Sequence, residues 1–382
     1  MNGVSRLGGW LARWREWELN PVVVKELRQA VRNWSVTGML LLFLVVLFGT
    51  SLMFLVSQTF TSQFNQRLGA QIFQAFVVIL GGASTLFIPM YVGVRLAIER
   101  QENNVDLLYI STLTPGRIIR GKFYCGAYMT LLFFSACMPF MAFTNLLRGV
   151  DLPTVFCILL VLYLVVCFAV QIGILLACLP LSRPLKVLVG LGGVGISFVV
   201  LSSVVGLALE LMRSGVGAMM AGRDFWIGFS TTLGIGFAGF LLLHLLSVAL
   251  ISPVSANRAL PLRLYLTVLW FLSGGLSFLW VRHAKDTRML LPWAIVMGLL
   301  LFAALFVVIS NQDQLSLRVR RRIPRAPVRR AFAFLFFNGA AGGLVWVAFL
   351  LALTFGATWW ALDWSLDPDR KSTRLNSSHR IR

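Results

Sequence analysis

The chain is poor in acid. Of its 382 residues only 14 are Asp or Glu, against 34 Lys or Arg. Only 13% of the residues carry charge, where soluble domains average about 25%. Histidine is scarcer still: His244, His283 and His379 are the three. The five cysteines, at 125, 137, 157, 167 and 178, include no C-x-x-C pair. These scarcities exclude whole classes of chemistry. No metal cluster, no Ser/His/Asp triad and no carboxylate pair can be assembled, so no catalytic residue and no metal ligand is assigned. The cysteines read as small apolar packing residues. His244 is the single histidine inside an apolar run. Ionisable groups there are functional candidates by default, and a neutral imidazole bonded to a backbone carbonyl is the plainer alternative. Long polar stretches are lacking too. The longest between apolar runs is about 27 residues, too short for a nucleotide-binding domain, so no cofactor is expected in this chain.

What is present is hydrocarbon. Hydrophobic residues make up 58% of the chain and the mean hydropathy is +0.83. A bilayer core of about 30 Å needs about 20 apolar residues as a helix. Nine segments qualify: 35–56, 72–95, 123–146, 154–179, 187–210, 225–252, 262–281, 289–310 and 332–362. The expected fold is an all-α polytopic membrane protein with about nine transmembrane helices, preceded by an amphipathic interfacial helix. The expected organisation is an interfacial region, 1–34, a six-span domain, 35–252, and three further spans in 253–368. Residues Asp369 to His379 read DRKSTRLNSSH, one reading frame of a common sequencing adapter. We leave 369–382 out of fold reasoning and expect the native chain to continue differently after Pro368. Without that tail, 29 basic residues stand against 13 acidic ones, a net charge of +16.

Basic residues set the expected orientation. With the N-terminus cytoplasmic, 22 of the 29 fall on the inner side and seven outside. The loop 282–288 is the one clearly basic outer loop. The run RVRRRIPRAPVRR, Arg318 to Arg330, lies in the inner loop 311–331. It has no aromatic interleaving of the kind that stacks bases. It reads as a topology anchor at an anionic leaflet, and no nucleic-acid partner is expected.

Several motifs imitate nucleotide sites. Thr114 to Phe123 reads TPGRIIRGKF, and from Gly116 it is G-x-x-x-x-G-K. A P-loop needs a Ser or Thr next, to reach Mg²⁺, and a strand before it. Position 123 is Phe, and an apolar run follows. Thr114 and Pro115 instead suit the cap and first residue of a helix. The two G-x-G-x-x-G runs, Gly190 to Gly195 and Gly234 to Gly239, fall inside apolar spans. Small residues there, and the Gly339/Gly343 pair, are expected to permit close helix contact.

Two polar segments stand out. Trp10, Trp14 and Trp17 share a helical face, and Asn20 to Trp34 reads NPVVVKELRQAVRNW. Asn20 suits a cap and Pro21 a first helical position. Val23, Leu27, Val31 and Trp34 form one face, with Lys25, Arg28 and Arg32 on another. The second segment is the loop RLAIERQENNVDLLYISTLTPGRIIRGKF, Arg95 to Phe123. Its charged start, apolar centre (Val105, Leu107, Leu108, Ile110) and S-T-L-T-P close suit insertion into a groove on a partner.

The run E-R-Q-E-x-x-x-D-L-L-x-x-S-T-L-T-P-x-x-I-x-x-G-K resembles the coupling-helix loop of permease subunits of ATP-binding cassette (ABC) transporters, type-2 exporter class. The matching positions are Glu99, Arg100, Glu102, Leu107, Leu108, Pro115, Gly121 and Lys122. N-P-x-x-x-K-E-x-R is similar to the interfacial helix that opens such permeases, on Asn20, Pro21, Lys25, Glu26 and Arg28. The similarity covers residues 20 to about 252. The three spans after residue 252 depart from the six spans common in that class. The resemblance implies a permease, an exporter in a bacterial cytoplasmic membrane. It would be driven by a separate cytoplasmic ATPase that binds ATP and Mg, and would pair with a second permease copy or a paralogue among membrane lipids. In that reading Glu99, Arg100, Glu102 and Asp106 of the coupling loop 96–122 orient it against the ATPase, and Leu107 and Leu108 fill the ATPase groove. A membrane scaffold or regulator and an ion-coupled transporter are the alternatives. The latter would show acidic residues within spans, and none lies near a midplane.

The charge asymmetry predicts that a fluorescent reporter fused ahead of Met1 glows in the cytoplasm and that alkaline phosphatase inserted at 148–151 is active. The reverse pattern would overturn the orientation.

Overall fold

A computed structural model describes residues 21–60, 68–101, 114–147, 150–214, 222–253, 256–284, 290–310, 317–321 and 323–366. Every element among them is helical: α1 Pro21–Val31, α2 Trp34–Phe60, α3 Leu68–Gln101, α4 Pro115–Leu146, α5 Leu152–Cys178, α6 Arg183–Ser214, α7 Arg223–Ile251, α8 Ala259–Ala284, α9 Leu290–Ser310, α10 Leu317–Arg320, α11 Pro327–Phe336 and α12 Ala340–Leu366. Helices satisfy their own backbone groups, which lipid cannot do. Among the described residues, α2 to α9 and α12 are long and apolar enough to cross a membrane. The protein is an all-α polytopic membrane protein.

The chain divides into two compact units, Met1–Ile251 and Ser252–Arg382. In the first, α3 and α5 form the centre and pack most extensively against each other. Phe73, Phe76, Leu80 and Ile88 of α3 and Leu162, Val166, Val170 and Ile174 of α5 are buried. α4 closes one side of this pair and α6 and α7 pack at its flanks. α2 and α6 leave most of their apolar surface open.

The α3–α5 contact is close because of glycine. A Cβ on Gly173 would stand 2.7 Å from the Pro89 carbonyl oxygen, and one on Gly93 would stand 3.0 Å from that of Gly173. Gly126 of α4 meets Val170 in the same way, at 2.6 Å from its Cγ1. The sequence pointed to other glycines, and the structure corrects this. A Cβ on Gly190, Gly192, Gly195, Gly234 or Gly236 would meet nothing within 4 Å. Of those two runs only Gly193 and Gly239 touch a neighbour, Leu176 and Phe168, at ordinary contact distance. Spacing identifies small residues on a helix but does not say which of them face another helix.

In the second unit α12 packs on α9, with α8 and α11 alongside. The expected single span 332–362 is two elements. α11 ends at Phe336 and α12 begins at Ala340. The Asn338 side chain holds the break, accepting from Ala259 N at 2.9 Å and donating to Ala256 O at 3.2 Å. Arg263, 6% exposed, donates to the carbonyls of Leu335 and Phe337 at 2.8 Å each and of Gly339 at 3.1 Å. Its guanidinium takes the carbonyls that the helix end leaves unpaired. Gly343 leaves room for it: a Cβ there would stand 2.5 Å from Nη2. Of the Gly339/Gly343 pair, Gly343 also admits Val308 of α9, whose Cγ1 would stand 2.7 Å from a Cβ there, while Gly339 lies in the break and meets nothing. Three indoles donate across the unit, Trp270 to Thr354 Oγ1 at 2.8 Å, Trp293 to Ser273 Oγ at 2.9 Å and Trp346 to Thr267 Oγ1 at 2.9 Å. Trp346 is buried and Trp270 and Trp293 are half-buried, none with its N–H stranded.

Gly173→Ala should lower the melting temperature of the detergent-solubilised protein, because overpacking costs about 1–3 kcal/mol. Gly190→Ala, with open space around it, should leave it unchanged. Equal melting temperatures for the two variants would contradict the close α3–α5 contact.

Candidate functional site

The first two turns of α4 carry the G-K of the imitation P-loop. Thr114 is extended, with φ −78° and ψ 148°, and Pro115 opens the helix as the sequence suggests. The segment 116–122 is therefore helical, and no loop of backbone N–H groups is there to wrap a phosphate. Lys122 instead points inward and is 2% exposed.

An ammonium so buried needs a counter-charge. It has two. Lys122 Nζ donates to Glu26 Oε1 at 2.6 Å and pairs with Glu99 Oε2 at 2.8 Å. Glu26 comes from α1 and is 6% exposed; Glu99 comes from the last turn of α3. One lysine thus ties together three elements: α1, the end of α3 and the start of α4. The last two flank the segment 102–113.

The local sequence explains how each group arrives. In α1, Val23, Glu26 and Ala30 are buried and Leu27 is half-buried, an i, i+3, i+4, i+7 set, while Lys25, Arg28 and Arg32 are exposed. The face differs from the expected one at its end, where Val31 is 70% and Trp34 82% exposed. The helix stops at Val31, and Asn33 caps α2 by accepting from Ser35 N at 3.1 Å. Val31, next to Ala30 on the same helix, already turns away from the packed side, and the break takes Trp34 off it. In α3, Arg95 and Glu99 share a face at i, i+4. Arg95 donates to Tyr91 Oη at 3.2 Å and lies 5.5 Å from the centre of its ring.

Arg100 turns to the end of α5. Its Nη1 donates to Ala177 O at 3.2 Å and to Cys178 O. A cation there meets the negative end of the helix dipole and two unpaired carbonyls. Glu99 and Arg100, adjacent in sequence, therefore anchor the end of α3 in two directions.

Of the residues expected to contact a partner, Glu99, Arg100, Gly121 and Lys122 face inward, and Pro115 is half-buried at the start of α4. They position the foot of the loop. Glu102, Asp106, Leu107 and Leu108 lie outside the described residues. Asn20 does too, and Pro21 begins α1. Sequence reasoning missed that Glu26, Glu99 and Lys122 are one cluster. The signal was available: a lysine two turns inside an apolar helix demands carboxylates, and few exist in this chain.

His244 of α7 stacks on Phe240, with ring centroids 6.4 Å apart. Deeper in the unit, Gln171 Nε2 donates to Ser247 Oγ at 3.2 Å, joining α5 to α7. Among the described residues no group of three His, Cys, Asp or Glu could hold a metal ion. The cysteines are unpaired and mostly buried, as packing residues are. In comparisons with known proteins, no family model, no curated protein and no solved structure matches this chain.

Removing one partner of a buried pair strands the other charge, at about 3–5 kcal/mol. Lys122→Met should accordingly destabilise the protein by that order in thermal or denaturant unfolding. Lys122→Met combined with Glu26→Gln should lose less than the two single changes added together. Strict additivity would mean that the two side chains do not interact.

Proposed function

We propose that this chain is a membrane permease subunit driven by a separate cytoplasmic ATPase, of the ABC type-2 exporter kind. The observation that carries the reading is the Lys122–Glu26–Glu99 cluster. The segment 102–113 leaves α3 just beyond Glu99 and returns at Thr114, and both of its roots are held to α1 through one buried ammonium. A load on that segment is transmitted to α1, α3 and α4 together. Arg100 extends the connection to the end of α5. A plain connector between two spans needs no such foundation.

The sequence of the segment supports the same reading. Its acidic and apolar residues, Glu102, Asp106, Leu107 and Leu108, are of the kind that an ATPase groove would take up. In the expected orientation they lie in the cytoplasm, where ATP is. ATP and Mg would be bound by the ATPase. The working unit would contain a second permease copy or a paralogue, in a bacterial cytoplasmic membrane. The second unit adds three spans and an inner basic surface, with Arg320, Arg321, Arg325, Arg329 and Arg330 exposed, suited to an anionic leaflet.

The test is co-purification. The full chain, extracted from native membranes in mild detergent, should bring with it a soluble protein with ATPase activity. Asp106→Ala with Leu108→Ala should remove that protein while leaving the permease folded and in the membrane. Repeated recovery of the chain alone, or undiminished ATPase recovery with the double variant, would overturn the proposal and favour a scaffold.

A further inference from the structure

The first unit contains a cleft of about 1530 Å³ between α3, α5, α6 and α7. Its walls are almost wholly apolar, and it is open along one side. Sites for drug-sized ligands occupy about 300–1000 Å³, so this one suits something larger. It follows α6 from Lys186 to Leu211. At about 1.5 Å per residue those 26 residues reach across the hydrocarbon core.

The cleft is charged at both ends, with Asp224 at the start of α7 and Lys186 at the start of α6, and the Lys186 end suits an anion. Lys186 is in its wall at the first turns of α6. Among the described residues no carboxylate pairs with it. Arg100 stands at the same end without lining the cleft itself: it donates to the carbonyl of Ala177, which does line it. Arg100 reaches the α5 carbonyls through Nη1, and a guanidinium has five N–H groups in all. Above Lys186 the α6 wall continues through Gly190 and Val194, spaced i+4. A Cβ at Gly190 would meet nothing within 4 Å, nor would one at Gly236 on the facing α7. These glycines do not serve helix contact. Gly190 keeps the cleft wide directly beyond the cation, and Gly236 keeps it wide halfway along α7.

We propose that this cleft is a binding site for one anionic amphiphile. Its phosphate or carboxylate headgroup sits at Lys186 and Arg100, and its acyl chains lie along α6 over Gly190 and Val194. A bulk lipid annulus has no need of a cation at a single depth or of glycines beside it. The site stands whether or not an ATPase docks. If one does, the cleft is the place where a lipid-like substrate or regulator enters.

The test uses the full chain in detergent, titrated with phosphatidylglycerol or phosphatidylcholine of identical acyl chains and read by native mass spectrometry. The expected result is saturable retention of one phosphatidylglycerol per chain, with phosphatidylcholine weaker. Lys186→Gln should weaken phosphatidylglycerol about fivefold, the effect of one cation at a lipid surface. Gly190→Phe should abolish retention of both lipids without changing the melting temperature, and Gly236→Phe supplies the same block from α7 if the first variant does not fold. Photoreactive phosphatidylglycerol should label peptides of α5, α6 and α7. Equal retention of the two lipids, or retention unaffected by Lys186→Gln, overturns the proposal. If Gly190→Phe instead disrupts a dimer while lipid retention persists, a second copy covers the cleft and the proposal also fails.

Discussion

An ammonium ion at the foot of a membrane helix must be neutralised where it stands. The architecture of the first unit depends on how this is done at Lys122. Burying a lone charge costs far more than any one packing contact returns. The lysine therefore fixes the positions of Glu26 and Glu99 to within hydrogen-bond distance. α1 lies against α4 because Glu26 must reach that spot, and Val23 and Ala30 are carried inside with it. The end of α3 is fixed because Glu99 must reach it too. Arg100 then meets the end of α5. Four elements of the first unit share one polar anchor.

Above that anchor the unit is held by shape. Lipid is as apolar as leucine, so burying hydrocarbon gives little reason for two membrane helices to associate, and close backbone approach supplies it instead. Gly93 and Gly173 bring α3 and α5 together, and Gly126 admits Val170. α6 meets α3 where Gly81 admits Leu201, but it leaves most of its apolar surface open and borders the cleft. The same difference separates a closely packed centre, joined to both roots of the segment 102–113, from a flank with an open cleft beside it.

The second unit solves a related problem with different residues. Arg263 is buried as deeply as Glu26, but its partners are carbonyl oxygens at the end of α11 rather than carboxylates. A guanidinium suits three such acceptors because its donors are spread over a plane. The break it stabilises turns a short amphipathic helix into the approach to a span, much as Asn33 separates α1 from α2.

The apolar spans, their number and the start of α4 at Pro115 were legible in the sequence, because the bilayer imposes length and composition locally and a proline marks a helix start locally. The segment 95–123 stood out for its charge pattern. Other features are relations between helices, and no local pattern encodes them. The helical phase of α1 followed from Glu26 having to meet Lys122 nearly a hundred residues away. The break at Asn338 followed from Ala256 just ahead of α8 and from Ala259 and Arg263 in its first turns. Which glycines matter was decided by which faces meet: Gly173 touches a backbone and Gly190 touches nothing, though both are glycines in apolar helices. Composition determined that this chain lives in a membrane. Only the packing of one helix on another decided where its few charges meet and where its surface stays open.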